Sequence, residues 1–194
     1  MTKYSQAGQD KFVLSFFPDD YKGSFVDVGC WMPDDLNNTL RLEERGWVGV
    51  SLDISDMRSE WERRNTPFIC ENALTCDYEK LFKSISMPDV IDYLSLDIEG
   101  DGGRYSALLK LFEANYEFRI ITIEHDSYRG YGETERTKQR EFLFKLGYAL
   151  VCSNVKLSSN PFEDWWVNPK YINEDKYQRL ISEGLSYDEI IKKL

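Results

Sequence analysis

The feature that most constrains this chain is an alternation. Short apolar, β-branched segments are each followed by a stretch with helical spacing, and the pattern repeats in order along most of the sequence. Residues 9–17 carry Phe12, Val13, Phe16 and Phe17 at helical spacing, and Pro18 ends that helix. The first strong strand, Ser24-Phe25-Val26-Asp27-Val28-Gly29, ends in an acid and a glycine. A helical stretch from Asp34-Asp35 to Arg45 follows, with Gly46 as its stop. Residues 47–54 then read as a strand, 56–65 as a polar helix, 67–74 as a third strand, 77–86 as a helix and 90–96 as a fourth strand. Next come a helix over 105–114, an almost continuously apolar strand over 118–123 and a helix over 133–146 that Gly147 closes. Residues 148–155 and 164–167 supply two more strands with no clear helix between them, which suits an antiparallel hairpin. Ser186, with Glu189 three residues later, forms a capping box for a short terminal helix.

Strands alternating with helices require crossover connections, which are right-handed and put helices on both faces of a mainly parallel sheet. The expected architecture is α/β: a Rossmann-like, doubly wound, mostly parallel sheet of seven strands with an antiparallel C-terminal hairpin. No repeat or Pro/Gly-rich linker divides the 194 residues, so residues 1–170 are expected to form one domain, with 171–194 a helical extension packed on it. Hydrophobic residues at 42% and charged residues at 30% exclude a disordered or fibrous chain.

The 24 Lys and Arg against 34 Asp and Glu leave a net charge of −10. That balance repels phosphate backbones and anionic lipid, so the expectation is no nucleic acid and no membrane partner. No apolar run is long enough to span a bilayer and Met1-Thr2-Lys3-Tyr4 begins no signal-peptide core, which predicts a cytoplasmic protein. Cys30, Cys70, Cys76 and Cys152 show no Cys-x-x-Cys pairing and read as buried free thiols.

In a doubly wound sheet, ligands bind beyond the carboxyl ends of the strands. Asp27 and Gly29 end the first strand and Asp53 ends the second. A glycine lets backbone approach a ligand, and an acid at the second strand tip can accept both hydroxyls of a ribose, so an adenosine-containing cofactor is expected. A dinucleotide fold needs a glycine-rich turn to seat pyrophosphate, but this turn holds one glycine followed by Asp34 and Asp35. S-adenosylmethionine, which has no phosphate and carries a cationic sulfonium, fits that acidic turn better. Asn72, delivered by the third strand, could meet an adenine edge or simply begin a turn.

The fourth strand ends Asp97-Ile98-Glu99-Gly100-Asp101 and the fifth Glu124-His125-Asp126. Clustered acids raise one another's pKa, and a histidine among them is a natural general base, although a lone histidine is also often satisfied by backbone. Asp97, Glu99 and Asp126 could alternatively hold Mg or Mn, so a metal-dependent hydrolase is one other reading. Trp165-Trp166 offers an aromatic face for a sugar, or buries one indole in the core.

Four segments in order resemble FkbM-type methyltransferases, a branch of the class I S-adenosylmethionine-dependent enzymes, over residues 4–169. They are Tyr4-Ser5-Gln6-Ala7-Gly8-Gln9-Asp10; Phe25-Val26-Asp27-Val28-Gly29 with Pro33 and Asn38-Thr39; Gly46-Trp47-Val48-Gly49; and Ile91-Asp92-Tyr93-Leu94-Ser95-Leu96-Asp97-Ile98-Glu99-Gly100. The resemblance implies that Asp27 and Gly29 lie against the methionine part of the cofactor, that Asp53 holds the ribose and that Asn72 meets the adenine. It also implies that Asp97 and Glu99 flank the sulfonium and the acceptor, with Gln6, Asn38 and Thr39 as further pocket residues. Cys30-Trp31 stands where the family usually has Ala-Asn, and Gln9 where it tends to have an acid. The implied reaction is O-methylation of a small molecule or sugar. The hydroxyl proton would pass to His125, Asp97 or Glu124, and His125 is favoured because its ordinary pKa, roughly 6.5, is nearest neutrality. A non-catalytic cofactor- or glycan-binding module with the same fold is the other alternative.

Overall fold

A computed structural model describes residues 4–99 and 103–194 of the chain. Met1 to Lys3, and Gly100, Asp101 and Gly102 of the motif after the fourth strand, lie outside the described residues. The elements run α1 Gln9–Leu14, β1 Ser24–Val28, α2 Leu40–Glu44, β2 Val48–Asp53, α3 Arg58–Trp61, β3 Phe68–Cys70, α4 Tyr78–Ser84 and β4 Val90–Leu96. They continue α5 Gly103–Glu113, β5 Glu117–Glu124, α6 Gly132–Lys145, β6 Ala149–Leu157, β7 Asn160–Val167, α7 Glu174–Tyr177, a 3₁₀ turn Gln178–Leu180, β8 Ser182–Glu183 and α8 Tyr187–Ile191. Ser186 and Glu189 form the expected reciprocal cap of α8.

One sheet holds all the strands in the order β3-β2-β1-β4-β5-β7-β6-β8. β1 to β5 pair in parallel, and β7 runs antiparallel between β5 and β6. The strand order reverses at β1, whose neighbours are β2 and β4, so the crevice at the ends of these three strands is where the topology places a ligand.

Successive side chains of a strand face opposite sides, and here both sides are covered. Val26, Leu94, Ile121 and Trp166 join one core with Leu108 and Leu111 of α5 and Leu143 of α6. Phe25, Tyr93, Ile120 and Trp165 join the other with Phe12 and Val13 of α1. Ile172, Tyr177, Leu180 and Ile190 of the C-terminal segment complete that second core.

Among the described residues the sheet has eight strands, not seven. The extra strand, β8, is two residues long and pairs in parallel with β6, so the C-terminal segment is not purely helical. α2 begins only at Leu40, because Asn37 holds the preceding residues as a loop. Its Oδ1 accepts the N–H groups of Thr39 and Leu40, and its Nδ2 donates to the carbonyls of Cys30 and Met32. Trp165 and Trp166 are both fully buried, so neither forms a sugar platform: β7 is an interior strand with a core on each face. Cys30, Cys76 and Cys152 are buried as expected, but Cys70 is exposed, since β3 lies at the sheet edge. Among the described residues, no helix is long and apolar enough to cross a membrane.

Candidate functional site

A cavity of about 640 Å³ opens beyond the ends of β1, β2 and β4. Gln6, Asp27, Gly29, Asn38, Asp53, Asn72, Asp97 and Glu99 all line it. Residues scattered over much of the sequence therefore share one space.

Gly29 makes the convergence possible. Its φ of +83° suits only glycine, and a Cβ there would lie 1.9 Å from the Asp97 carbonyl oxygen. The ends of β1 and β4 can approach this closely only because no side chain separates them. The Gly29 N–H donates to the Leu52 carbonyl at 2.8 Å, which ties in the end of β2 as well.

Asp27 points from β1 toward α2, where the Thr39 hydroxyl donates to its Oδ2 at 2.9 Å. Burial pushes Asp27 up to about 6, against the hydrogen bonds it accepts from Thr39 and Ser95. Asp53 accepts the backbone N–H of Trp31 at 3.0 Å through Oδ2 and that of Ser55 at 2.8 Å through Oδ1. Each oxygen keeps a free lone pair, so an oriented carboxylate faces the cavity. Asn38 donates through Nδ2 to the Ser95 hydroxyl at 3.0 Å, while its buried Oδ1 has no partner among the described residues. Such an acceptor on a cavity wall is complete only when a donor occupies the cavity. Asn72 accepts the Leu74 N–H at 2.9 Å through Oδ1, so it both begins a turn and lines the cavity.

On the β4 side, burial pushes Asp97 up to about 6 despite its hydrogen bond with Glu124. Burial and the Asp97 charge push Glu124 up further, so Glu124 holds the proton of the pair. Arg104 of α5 contacts Glu124 and also donates to Asp126 at 3.1 Å, which anchors the pair from behind.

Two supporting residues escape sequence reasoning. Asn37 staples the loop after β1, and Arg64 clamps it from beneath. Arg64 donates to the Pro33 carbonyl at 2.7 Å and to Asn37 Oδ1 at 3.1 Å, and it pairs with Glu43 at 2.8 Å. Nothing in a polar stretch such as 56–65 distinguishes a buried arginine from a solvated one. Asn37 could have been flagged only by its place before Asn38-Thr39.

Three expected site residues lie elsewhere. His125 is fully buried and does not line the cavity. Its Nδ1 accepts the Ser127 N–H at 3.0 Å, and its Nε2 lies 3.4 Å from Asp164 Oδ1. Burial opposes ionisation of Asp164, but the hydrogen bonds from Arg140 and the neighbouring His125 ring hold it down to about 2. Both ring nitrogens of His125 thus face protein groups and not the cavity. Glu124 stands behind Asp97 and not on the cavity wall, and Thr39 lies beneath Asp27. Asp126 is held by Arg104 and Arg129, and among the described residues no cluster of three His, Cys, Asp or Glu could hold a metal ion.

The chain covers 87% of its length against 98% of a protein described as an rRNA methylase from Clostridium thermocellum, with a TM-score of 0.55 and 15% identity. Another described as an rRNA methylase, from Streptococcus thermophilus, matches over the same shares with a TM-score of 0.53 and 15% identity. A human methyltransferase 10 domain containing protein matches 81% of this chain with 78% of its own, at a TM-score of 0.50 and 14% identity. The fold is one that these methyltransferases share. At these identities the likeness is one of fold alone. No family model and no curated protein matches the chain.

The neighbours correct one expectation. Two proteins of this fold are described as rRNA methylases, so the exclusion of nucleic acid drawn from a net charge of −10 does not stand. Net charge sums the whole surface, whereas a partner meets one face of it.

Proposed function

We propose that this protein is an S-adenosylmethionine-dependent methyltransferase. The observation that carries the reading is the charge of the cavity. Asp27, Asp35, Asp53, Asp97 and Glu99 line it, and no Lys or Arg does among the described residues. A pocket of that kind suits a ligand with a cationic sulfonium and ammonium and no phosphate. The unpartnered Asn38 Oδ1 supplies an acceptor for such a donor group.

In this reading Asp27, Gly29, Gln6 and Asn38 hold the methionine end, with Thr39 orienting Asp27 from below. Asp53 accepts the ribose hydroxyls, and the Asn72 side chain meets the adenine. Bound S-adenosylmethionine supplies an already activated methyl group, so the protein's work is mostly positioning. Asp97 accepts the proton of the acceptor hydroxyl, and Glu124, protonated and held by Arg104, keeps the Asp97 carboxylate in place. Glu99 faces the acceptor. The finer reading, O-methylation of a sugar or small-molecule hydroxyl by an FkbM-type enzyme, rests on the motif resemblance over residues 4–169.

A second reading, methylation of RNA, is favoured by the two fold neighbours described as rRNA methylases. Calorimetric titration with S-adenosylmethionine and S-adenosylhomocysteine tests the cofactor, with absence of binding to wild type sinking the proposal. Methyl transfer from labelled cofactor to a glycan panel or to total RNA then separates the two acceptors.

A further inference from the structure

The chain has five tryptophans, and four of them are buried. Trp31 is 56% exposed and lines the cavity. Its backbone φ is 48°, a left-handed conformation that a bulky side chain rarely adopts. Leu36 of the same loop also lines the cavity, is exposed and has φ 54°. Among the described residues no aromatic ring stacks on the Trp31 indole and no hydrogen bond holds it, since the residue's polar tie is through the backbone N–H to Asp53. Strain at a cavity wall, carrying an exposed aromatic side chain, marks a ligand contact more readily than a structural one.

The adenosine side of the cavity has its own apolar wall in Ile54, Ala73 and Leu74, from the segments after β2 and β3 beside Asp53 and Asn72. Trp31 and Leu36 come instead from the loop after β1, the strand that lies between β2 and β4. We infer that Trp31 is a specificity-determining residue whose indole stacks on the face of a ring in the methyl acceptor. An indole stacks on the C–H face of a sugar and on the π face of an aromatic ring alike, and it carries no charge that would select an ion. This inference rests on the cofactor reading above.

Because the other tryptophans are buried, emission quenched by acrylamide reports on Trp31. Saturating S-adenosylhomocysteine should leave that quenching largely intact. Adding millimolar methyl glucoside or phenol to the S-adenosylhomocysteine complex should then reduce it to the level of the buried tryptophans, and the probe that does so tells a sugar from an aromatic acceptor. A folded Trp31→Gly variant should melt no lower than wild type, since glycine is at ease at this φ, bind S-adenosylhomocysteine as wild type does, and lose the ring probe in calorimetry. Shielding by S-adenosylhomocysteine alone, or loss of its binding in Trp31→Gly, would overturn the inference by assigning the indole to the cofactor. Shielding by neither ring probe would overturn it too. Failure of wild type to bind S-adenosylhomocysteine strikes the cofactor reading itself and is read in the same titration.

Discussion

The backbone N–H of Trp31 donates to Asp53 Oδ2 over 3.0 Å, so the acid at the tip of β2 anchors the loop that follows β1. One carboxylate thereby shapes the cavity wall and presents a free lone pair from each oxygen to a ligand. Asp53→Ala should remove both roles. A hydrogen bond to a charged group contributes about 1.5–3 kcal/mol, so the affinity for S-adenosylhomocysteine should fall by about 10–100-fold. Asp53→Asn keeps an acceptor for Trp31 and should fall between the two in the same calorimetric titration.

The pH dependence of stability follows from Asp27. Its carboxyl is raised from 3.8 to about 6 in the folded protein, so the folded state favours the protonated form. The contribution to stability is full below pH 3.8 and is lost as pH rises to about 6, a loss of about 3 kcal/mol at neutrality. Asp27→Asn, which titrates in neither state, should therefore be more stable than wild type at pH 7 and lose that advantage toward pH 4. Urea denaturation of the ligand-free protein across this range checks the sign.

Activity should show the opposite dependence. Asp97 accepts a proton only as a carboxylate, and burial raises it to about 6. The rate should hold at neutral pH and fall as pH drops through about 6, and Asp97→Asn should lose it across the whole range. A rate that is flat down to pH 5 in wild type would exclude Asp97 as the acceptor of the proton.

His125 lies outside the cavity, so its substitution should cost the fold more than the chemistry. His125→Ala leaves a cavity and strips a buried partner from Asp164 and from the Ser127 N–H, a cost of about 2–4 kcal/mol. Thermal melting should shift markedly downward, while the rate of the protein that remains folded should change by less than about tenfold.

Gly29→Ala should be worse than either. Its Cβ would overlap the Asp97 carbonyl, which is backbone and cannot move aside, and φ +83° adds strain of its own. A loss of more than about 3 kcal/mol is expected, read as a large drop in the denaturation midpoint or as failure to accumulate folded protein.

The parallel strands and the C-terminal hairpin were legible because each is a run of apolar residues bounded by Gly, Pro or acids. The cavity residues Asp27, Gly29, Asp53, Asn72, Asp97 and Glu99 were legible for a related reason: they stand at or just beyond strand ends, and a doubly wound sheet brings those ends together. β8 was not, since two residues pairing in parallel with a distant strand leave no periodic trace. Nor was the late start of α2, which depends on Asn37 and on Arg64 reaching it from beyond β2.

His125 shows where local reading stops. Its position at the end of β5 follows from the apolar run before it, but its orientation follows from Asp164 on β7 and from the Ser127 N–H. Trp165 and Trp166 show the same limit, since both are buried only because β7 lies between two strands with a core on each face. Pattern and spacing act over a few residues, and they decide which segments become strands, where each ends and which residue types stand there. Which way a side chain faces, which acids share a proton and which arginine is buried depend on groups far away in the chain, and only packing in three dimensions brings those together.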